Sequence, residues 1–208
     1  MAALSPPDRI PVKSARRRRV DSARRDDLLD SVQRIFLSEG FTTISVGELT
    51  ARLHCSRSTL YSVAPTKEQL VLLATKAFFR SSAEAIERRV REHDSPRDRI
   101  LIYLNGVAEA MRRNSPAFYD DMVAFAPTAE IYARNSERAA ARVRELIDDG
   151  IAAGEFCSAD GNFAAHLVAL AIEGVESGVL LERTGLTAAD AFAELGTLML
   201  NGLLRRSE

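Results

Sequence analysis

The stretch "HCSRSTLYSVAPTKEQL", residues 54–70, determines how the rest of the chain is interpreted. Its second half contains Thr66 and Gln69 at the spacing of a capping box, directly before an apolar run. Its first half is mostly small or polar, with Leu60 and Val63 as the only large aliphatic residues. The pattern therefore predicts a short polar helix followed by a well-marked longer one.

Helical patterns extend over nearly all of the chain after residue 22. Strand signals are poor, because alternating β-branched runs and Asn-Gly hairpins do not occur. Helix starts are well marked: Ser45 with Glu48 forms a second capping box, and two Ser-Pro pairs place a capping serine before a first-turn proline. Thr187 with Asp190 is a weaker start. The sequence thus predicts an all-α fold of about nine helices, over residues 22–39, 45–53, 56–63, 66–92, 96–113, 116–125, 128–152, 161–183 and 188–205.

The first three helices are predicted to form a small bundle. The first carries an apolar stripe at helical spacing, formed by Leu28, Val32, Ile35 and Phe36. The second places Val46, Leu49 and Leu53 on one face, and the third offers Leu60 and Val63. The segment "TARLHCSRSTL", residues 50–60, has the length of a helix-turn-helix.

In such a motif the second helix lies in the major groove of DNA. The residues predicted to face DNA are Arg57, Ser58, Thr59, Tyr61, Ser62 and Lys67. Arg57 can donate two hydrogen bonds to a guanine, and the hydroxyl groups suit phosphates or base edges. Lys67, at the start of the next helix, offers a cation beside free N–H groups to a phosphate. By spacing alone, a short surface helix with ordinary polar residues explains the pattern about equally well.

The region from Arg24 to about Phe79 resembles the DNA-binding domain of the TetR-type transcription regulators. The resemblance is carried by "GFTTISVGEL" (40–49), "CSRSTLY" (55–61) and "PTKEQL" (65–70). In addition, "GIAAGEF" (150–156) is similar to the family's turn before its last two helices. The resemblance implies a three-helix N-terminal helix-turn-helix domain and a larger C-terminal helical domain that binds a ligand and dimerises.

Three positions depart from the family pattern. His54 stands in the turn where the family usually has Gly, so a strained or differently shaped backbone is expected there. Ala64 stands where an aromatic residue usually ends the recognition helix, which removes one packing contact. Ile44 replaces a usual Thr. The residues that face DNA are retained, but these departures affect how the recognition helix is tilted.

Charge is distributed unevenly along the chain. Residues 1–80 contain 14 Lys/Arg and 8 Asp/Glu, although the formal net charge of the whole chain is −1. Much of the excess lies in residues 1–21, interpreted as a flexible basic arm that contains Arg16, Arg17, Arg18 and Arg19. A polyanion is attracted to such an end. By analogy, the arm is expected to follow phosphates or enter the minor groove, and a solvated tail is the alternative.

Residues 22–70 are assigned to the DNA-binding domain and residues 71–208 to ligand sensing and dimerisation. The residues predicted to form the dimer interface are Phe163, Leu167, Leu170, Gly174, Gly178, Phe192, Leu195, Met199 and Leu203. A glycine inside a helix costs about 1 kcal/mol relative to Ala, which close helix approach in a dimer would justify. Burial within one subunit is the alternative explanation for the apolar residues of the helix at 161–183.

The resemblance also implies a small-molecule pocket among the middle helices, residues 96–152. The residues expected to line it are Tyr103, Asn105, Glu109, Met111, Phe118, Tyr119, Met122 and Phe125. They combine apolar bulk with a few polar groups, as ligand pockets do. The identity of the ligand does not follow from them.

Catalytic and metal chemistry have little support in the sequence. Ser-His-Asp, Cys-His and paired-carboxylate groupings do not rise above chance, so no enzyme activity, cofactor or metal site is predicted. The spacing of residues 92–94, Glu-His-Asp, suits no common metal site. Two cysteines without a motif and the lack of a long apolar run predict a cytoplasmic protein without a membrane segment.

The sequence therefore predicts a homodimeric regulator, a repressor that a small molecule releases from a palindromic operator in double-stranded DNA. One alternative is a sequence-nonspecific DNA-coating protein anchored by its arginine-rich arm. Deleting residues 1–20 would abolish binding by a coating protein, whereas an operator reader would keep its sequence preference. Another alternative is a ligand-binding helical bundle without an operator function, which absent DNA binding would support.

Overall fold

The computed structural model describes residues 12–156 and 161–203 and contains ten helices within these ranges. They are α1 (Val12–Glu39), α2 (Val46–Arg52), α3 (Arg57–Tyr61), α4 (Lys67–Arg91), α5 (Pro96–Arg112), α6 (Pro116–Ala124), α7 (Ala126–Ala152), α8 (Gly161–Glu176), α9 (Val179–Thr184) and α10 (Ala188–Leu203). None of the helices in these ranges is both long and apolar enough to cross a membrane. The all-α prediction is confirmed.

The helix starts predicted from capping residues are confirmed. The Ser45 hydroxyl accepts the backbone N–H of Glu48, whose carboxylate accepts the N–H of Ser45 in return at 2.7 Å. The same side-chain cap, an oxygen that accepts the N–H three residues on, begins α3, α4, α5, α6 and α10 at Ser56, Thr66, Ser95, Ser115 and Thr187. Each cap satisfies one N–H that the helix itself leaves without a partner.

Three element boundaries differ from the prediction. Helix α1 begins at Val12, earlier than residue 22, so it includes the backbone of residues 16–19. Helix α7 begins at Ala126, directly after the extended residue Phe125. The helix predicted over residues 161–183 is two helices, because Gly178 has a φ of +77° and interrupts it. A left-handed residue of this kind ends the regular hydrogen-bond pattern.

The N-terminal helices and the long C-terminal helices share one core. In the N-terminal part, Leu49 and Leu60 are buried in the same core cluster as residues of α1 and α4, in agreement with the inward faces predicted from their spacing. The centroid of the Phe118 ring lies 6.1 Å from that of Phe41 and 6.2 Å from that of Phe78, and both pairs are packed edge to face. Below, "the head" means residues 24–66 and "the body" means α4 to α10. Helix α4 crosses the predicted domain boundary after residue 70 and packs on α1, α5 and α7.

Candidate nucleic-acid interface

Helix α3 is a short, locally stabilised element. It spans Arg57–Tyr61, somewhat less than the predicted range 56–63. The Ser56 hydroxyl accepts the Thr59 N–H at 3.1 Å and lies 2.8 Å from the hydroxyls of both Ser58 and Thr59. Leu60 is buried and fixes the opposite face to the core. The helix is therefore anchored on one side and capped by its own first residues.

The other side of α3 is open to solvent. Arg57, Ser58 and Ser62 are exposed, and 41% of the Tyr61 surface is accessible. Thr59 is half-buried because its hydroxyl is engaged by the cap. The orientation predicted for this helix is confirmed, with Thr59 less available than expected. Contact of these residues with DNA stays a prediction.

The turn before α3 contains the strain expected from the sequence. His54 has a φ of +48° and is the only residue other than glycine with a positive φ in the described ranges. The neighbouring N–H of Cys55 donates to the Thr50 carbonyl at 3.0 Å, which holds the turn closed. A side chain in this region costs about 1–2 kcal/mol, since its Cβ approaches the carbonyl oxygen. Ala64 and Ile44, the other two departures, are both buried.

Lys67, the residue predicted to meet a phosphate, also supports the head. Its ammonium group donates to the Thr42 carbonyl at 3.2 Å, in the loop between α1 and α2. The side chain is half-buried, and α4 begins there under the cap of Thr66. The lysine is thus a cation held beside a helix N-terminus.

The four arginines predicted to form a DNA-binding arm, residues 16–19, fall within α1. Their contacts with DNA stay a prediction, and residues 1–11 of the arm lie outside the described ranges.

Asp121 of α6 joins the body to the head. Its Oδ2 accepts the N–H of Phe41 at 2.5 Å and that of Thr42 at 2.8 Å. Burial alone would raise the pKa of Asp121, but the hydrogen bonds from Thr42 and Phe41, with nearby Lys67, hold that pKa below its ordinary value. Gly40, with a φ of +79°, leaves the space for this carboxylate, since a Cβ there would lie 2.6 Å from Oδ2. A charged hydrogen bond therefore connects α6 to the loop before the helix-turn-helix.

A cavity of about 700 Å³ lies in the body between α4, α5 and α7. Two of the predicted pocket residues, Tyr103 and Met111, line it. The other six do not: Phe118 and Met122 are buried in the core, Tyr119 and Phe125 are half-buried, and Asn105 and Glu109 are exposed. Most of the predicted pocket residues therefore do not line this cavity. Their side chains turn towards the core or the solvent instead.

Helix α4 supplies a cavity wall that the sequence prediction missed. Lys76, Phe79, Arg80, Ala83 and Glu87 line the cavity from this helix. Further lining residues of this helix lie between them, so no simple helical spacing in the sequence identifies this wall. On the other side, the Tyr132 ring of α7 stacks on Phe79 with centroids 5.9 Å apart.

The charged group deepest in the cavity is an ion pair. Arg142 Nε donates to Glu87 Oε1 at 2.8 Å, and Nη2 donates to Oε2 at 3.3 Å. Arg142 Nη1 donates to Glu145 at 2.7 Å, and the hydrogen bond with Glu87 raises the pKa of Arg142. Burial raises the pKa of the neighbouring Tyr103 to about 12, so its hydroxyl is neutral at physiological pH. The lining pair of Arg142 and Glu87 is therefore balanced in charge, and Glu145, outside the lining, adds a carboxylate that is 65% exposed.

An exposed apolar face lies on α8. Three of its predicted interface residues are open to solvent, with exposed fractions of 68% for Phe163, 57% for Leu167 and 63% for Leu170. On α10, Leu198 is 69% exposed and was missed by the prediction. The described part of the chain therefore carries apolar surface of the type that marks interaction sites.

The predicted α10 stripe and the glycines have intramolecular contacts instead. Phe192 is buried, and Leu195 and Met199 are half-buried against the core. The Leu203 side chain lies outside the description. A Cβ at Gly174 would lie 2.9 Å from Leu180 of the same chain, and one at Gly196 would lie 3.1 Å from Leu104. Gly178 interrupts the helix. Close approach between subunits is therefore not needed to explain Gly174 and Gly196, and the dimer stays a prediction.

Within the described ranges, no group of three or more His, Cys, Asp or Glu side chains is arranged to hold a metal ion.

Comparison with known proteins reveals the fold. No family model and no curated protein sequence matches the chain. Solved structures do match. A transcriptional regulator from Saccharomonospora viridis in complex with choline has a TM-score of 0.69 at 15% identity, over 89% of this chain and all of the other. A TetR transcription regulator from Haloarcula marismortui has a TM-score of 0.68 at 14% identity, over 88% of this chain and all of the other.

RolR in complex with resorcinol is similar at a TM-score of 0.54 and 16% identity, over 90% of this chain and 91% of the other. The chain thus has the fold of TetR-type transcription regulators, with an N-terminal helix-turn-helix and a helical C-terminal part.

Proposed function

We propose that the chain is a ligand-responsive, DNA-binding transcription regulator that acts as a homodimer in the cytoplasm. Residues 22–70 would read a palindromic operator, and residues 71–208 would bind a small molecule and dimerise. The observation that carries the proposal is α3, a capped helix with one face in the core and Arg57 and Tyr61 exposed on the other. This is the surface that a recognition helix presents to base edges.

The fold supports this assignment. Two of the similar structures are described as transcriptional regulators, one of them in complex with choline, and RolR is in complex with resorcinol. Choline and resorcinol are ligands of those two proteins and do not identify the ligand of this chain. For this chain they support a ligand site in the body, and the cavity between α4, α5 and α7 is the candidate.

Repression requires that ligand and DNA compete for different arrangements of the dimer. A ligand shifts the equilibrium only if it binds the arrangement that does not fit the operator more tightly. The Asp121 hydrogen bonds to Phe41 and Thr42 connect α6 with the head. We propose that this connection transmits a change in the cavity to the spacing of the two recognition helices.

The α8 face is the proposed dimer surface. Leu167 and Leu170 lie on it one turn apart and are both exposed. The double substitution Leu167→Glu, Leu170→Glu should convert the dimer to a monomer in sedimentation experiments, since charges cannot be buried there without partners. Leu101→Glu, at an exposed leucine on α5, is the matched control and should leave the dimer intact. A monomeric wild-type chain at micromolar concentration would refute the proposed dimer.

The division of labour in DNA binding is tested on fragments selected from genomic DNA by the purified protein. Arg57→Ala should cost about 1–3 kcal/mol on the selected site and relax the preference at one base pair. Lys67→Ala should weaken binding to all sequences alike and reduce the slope of affinity against salt concentration.

Arg34→Ala, at an exposed arginine of α1, is the control for the loss of an arginine outside α3. Equal losses for Arg57→Ala and Lys67→Ala on selected and random DNA would contradict base reading by α3. Failure to recover any enriched site would contradict the proposed function as a whole.

A further inference from the structure

The cavity of the body has an apolar, aromatic interior. Tyr132 and Phe79 stack with an angle of 11° between their rings, and Phe192 and Ile172 also line the cavity. All four side chains are buried. Its volume of about 700 Å³ lies in the range of small-molecule sites, about 300–1,000 Å³. A ring-containing ligand is the shape that matches these walls.

The inner ion pair does not set the charge of the ligand. Both carboxylate oxygens of Glu87 accept hydrogen bonds from Arg142, and the third nitrogen of that guanidinium is bound to Glu145. A ligand charge placed here would have to break a satisfied pair, which is unfavourable in a partly buried site. The charge of the ligand is therefore decided elsewhere, at the mouth.

The mouth is formed by exposed lining residues, and its charged side chains are four basic residues and one acidic residue, Glu84. Lys76 and Arg80 lie one turn apart on α4, and Arg134 and Arg138 lie one turn apart on α7. Among these four, Arg134 alone has an acidic partner within the described ranges, Glu130 at 2.6 Å. Like charges at this spacing on one helix repel each other. A bound anion would relieve that repulsion.

We propose that the cavity binds an amphiphilic organic anion, with a ring system between Phe79, Tyr132 and Phe192 and a carboxylate at Arg80 and Arg138. The inference rests on the proposed role of the body as an effector-binding domain, and it specifies the chemical class of the effector. Arg80 and Arg138 are on different helices, so one carboxylate between them would also join the two walls of the mouth. Tyr103, a neutral hydroxyl in the interior, can donate a hydrogen bond to a polar ring substituent.

The test uses three probes that share one ring system and differ in charge: 2-naphthoate, 2-naphthalenemethanol and 2-naphthylmethylammonium. Binding to the full-length protein is measured by calorimetry at low ionic strength. The anion should bind at least about 10-fold more tightly than the cation, because several cations act on it at close range. Equal or tighter binding of the neutral or cationic probe, or no binding of any probe, would overturn the proposal.

Two variants locate the charge effect. Arg80→Glu and Arg138→Glu should each weaken 2-naphthoate binding by about 10-fold or more and leave the neutral probe nearly unchanged. Arg88→Glu makes the same charge change on an exposed part of α4 outside the cavity and should have little effect. If 2-naphthoate bound to all three variants as to wild type, it would be occupying another surface, such as the α8 face, and the proposed site would be refuted.

The outcome can be separated from that of the proposed function. Enrichment of a genomic site by the same protein tests DNA reading without any probe. Preference for the cationic probe together with operator binding would refute the anion class alone. Anion binding by a protein that selects no DNA would uphold the cavity chemistry and refute the regulator.

Discussion

The head and the body of this molecule are specified in different ways. In the head, Ser45 and Ser56 accept N–H groups three residues away, so the short helices α2 and α3 are stabilised by neighbours in sequence. In the body, the contacts that shape the cavity join distant positions, such as the stacked pair Phe79 and Tyr132. Local signals can therefore be recognised in a sequence, whereas the cavity depends on how long helices lie against each other.

The junction between the two regions should show the largest effect. Phe118→Ala removes the buried ring that contacts both Phe41 of the head and Phe78 of the body. The free energy of unfolding in urea should fall by about 3–5 kcal/mol. Val123→Ala, at an exposed position on the same helix, should change it by less than about 0.5 kcal/mol. A loss below 1 kcal/mol for Phe118→Ala would show that head and body are stabilised separately.

A pair of glycines, one from each region, sharpens the comparison. A Cβ at Gly150 in the body would lie 2.2 Å from the buried Phe156 ring, so Gly150→Ala should destabilise by about 1–3 kcal/mol. A Cβ at Gly47 in the head would meet its nearest atoms at 3.8 Å, so Gly47→Ala should stabilise α2 by about 0.5–1 kcal/mol. Thermal unfolding of the two variants measures this difference, and equal effects would contradict it.

The hydrogen bond between the regions should depend on pH. Asp121→Asn should lower the free energy of unfolding by about 1–2 kcal/mol at neutral pH, because two N–H donors lose a charged acceptor. The pKa of Asp121 is lowered in the folded state, so its stabilising contribution is complete above its unfolded pKa, about 4, and is lost as the pH falls through the folded value.

The difference between wild type and Asp121→Asn should therefore shrink below about pH 4. Asp120→Asn, a neighbouring exposed carboxylate, is the control. A difference that stayed constant between pH 7 and pH 3 would exclude an ionised Asp121 as the acceptor.

The smallest expected effect is a gain in the head. His54→Gly should raise the free energy of unfolding by about 0.5–1 kcal/mol, since it removes the left-handed strain but adds flexibility to the unfolded chain. His93→Gly, at an exposed histidine without a positive φ, should lower it. Destabilisation by both substitutions would mean that the His54 side chain contributes more than its backbone strain removes.

The predictions that succeeded rest on residues whose partners are close in sequence. Leu60 was expected in the core and Arg57 on the surface because their helix is short and its start is marked. The strain at His54 was expected because the family that the region resembles usually has Gly at this position of the turn. The start of α1 was missed, since the residues before 22 contain no comparable cap.

The predictions that failed needed the partner of a residue to be known. Gly174 was interpreted as a site of close approach between subunits, but the space beside it is filled by Leu180 of the same chain. The same ambiguity affected the choice of pocket residues, because an aromatic residue such as Phe118 suits a core as well as a cavity wall. Only the assembled helices distinguish these cases.

The cap at Ser56 has a consequence for the energetics of recognition. Three polar groups converge on its hydroxyl, so the five residues of α3 are ordered before any partner arrives. Ordering a backbone residue on association would oppose binding by about 1–2 kcal/mol. A preorganised helix avoids that entropy loss, and the full free energy of its contacts is then available to distinguish one base pair from another.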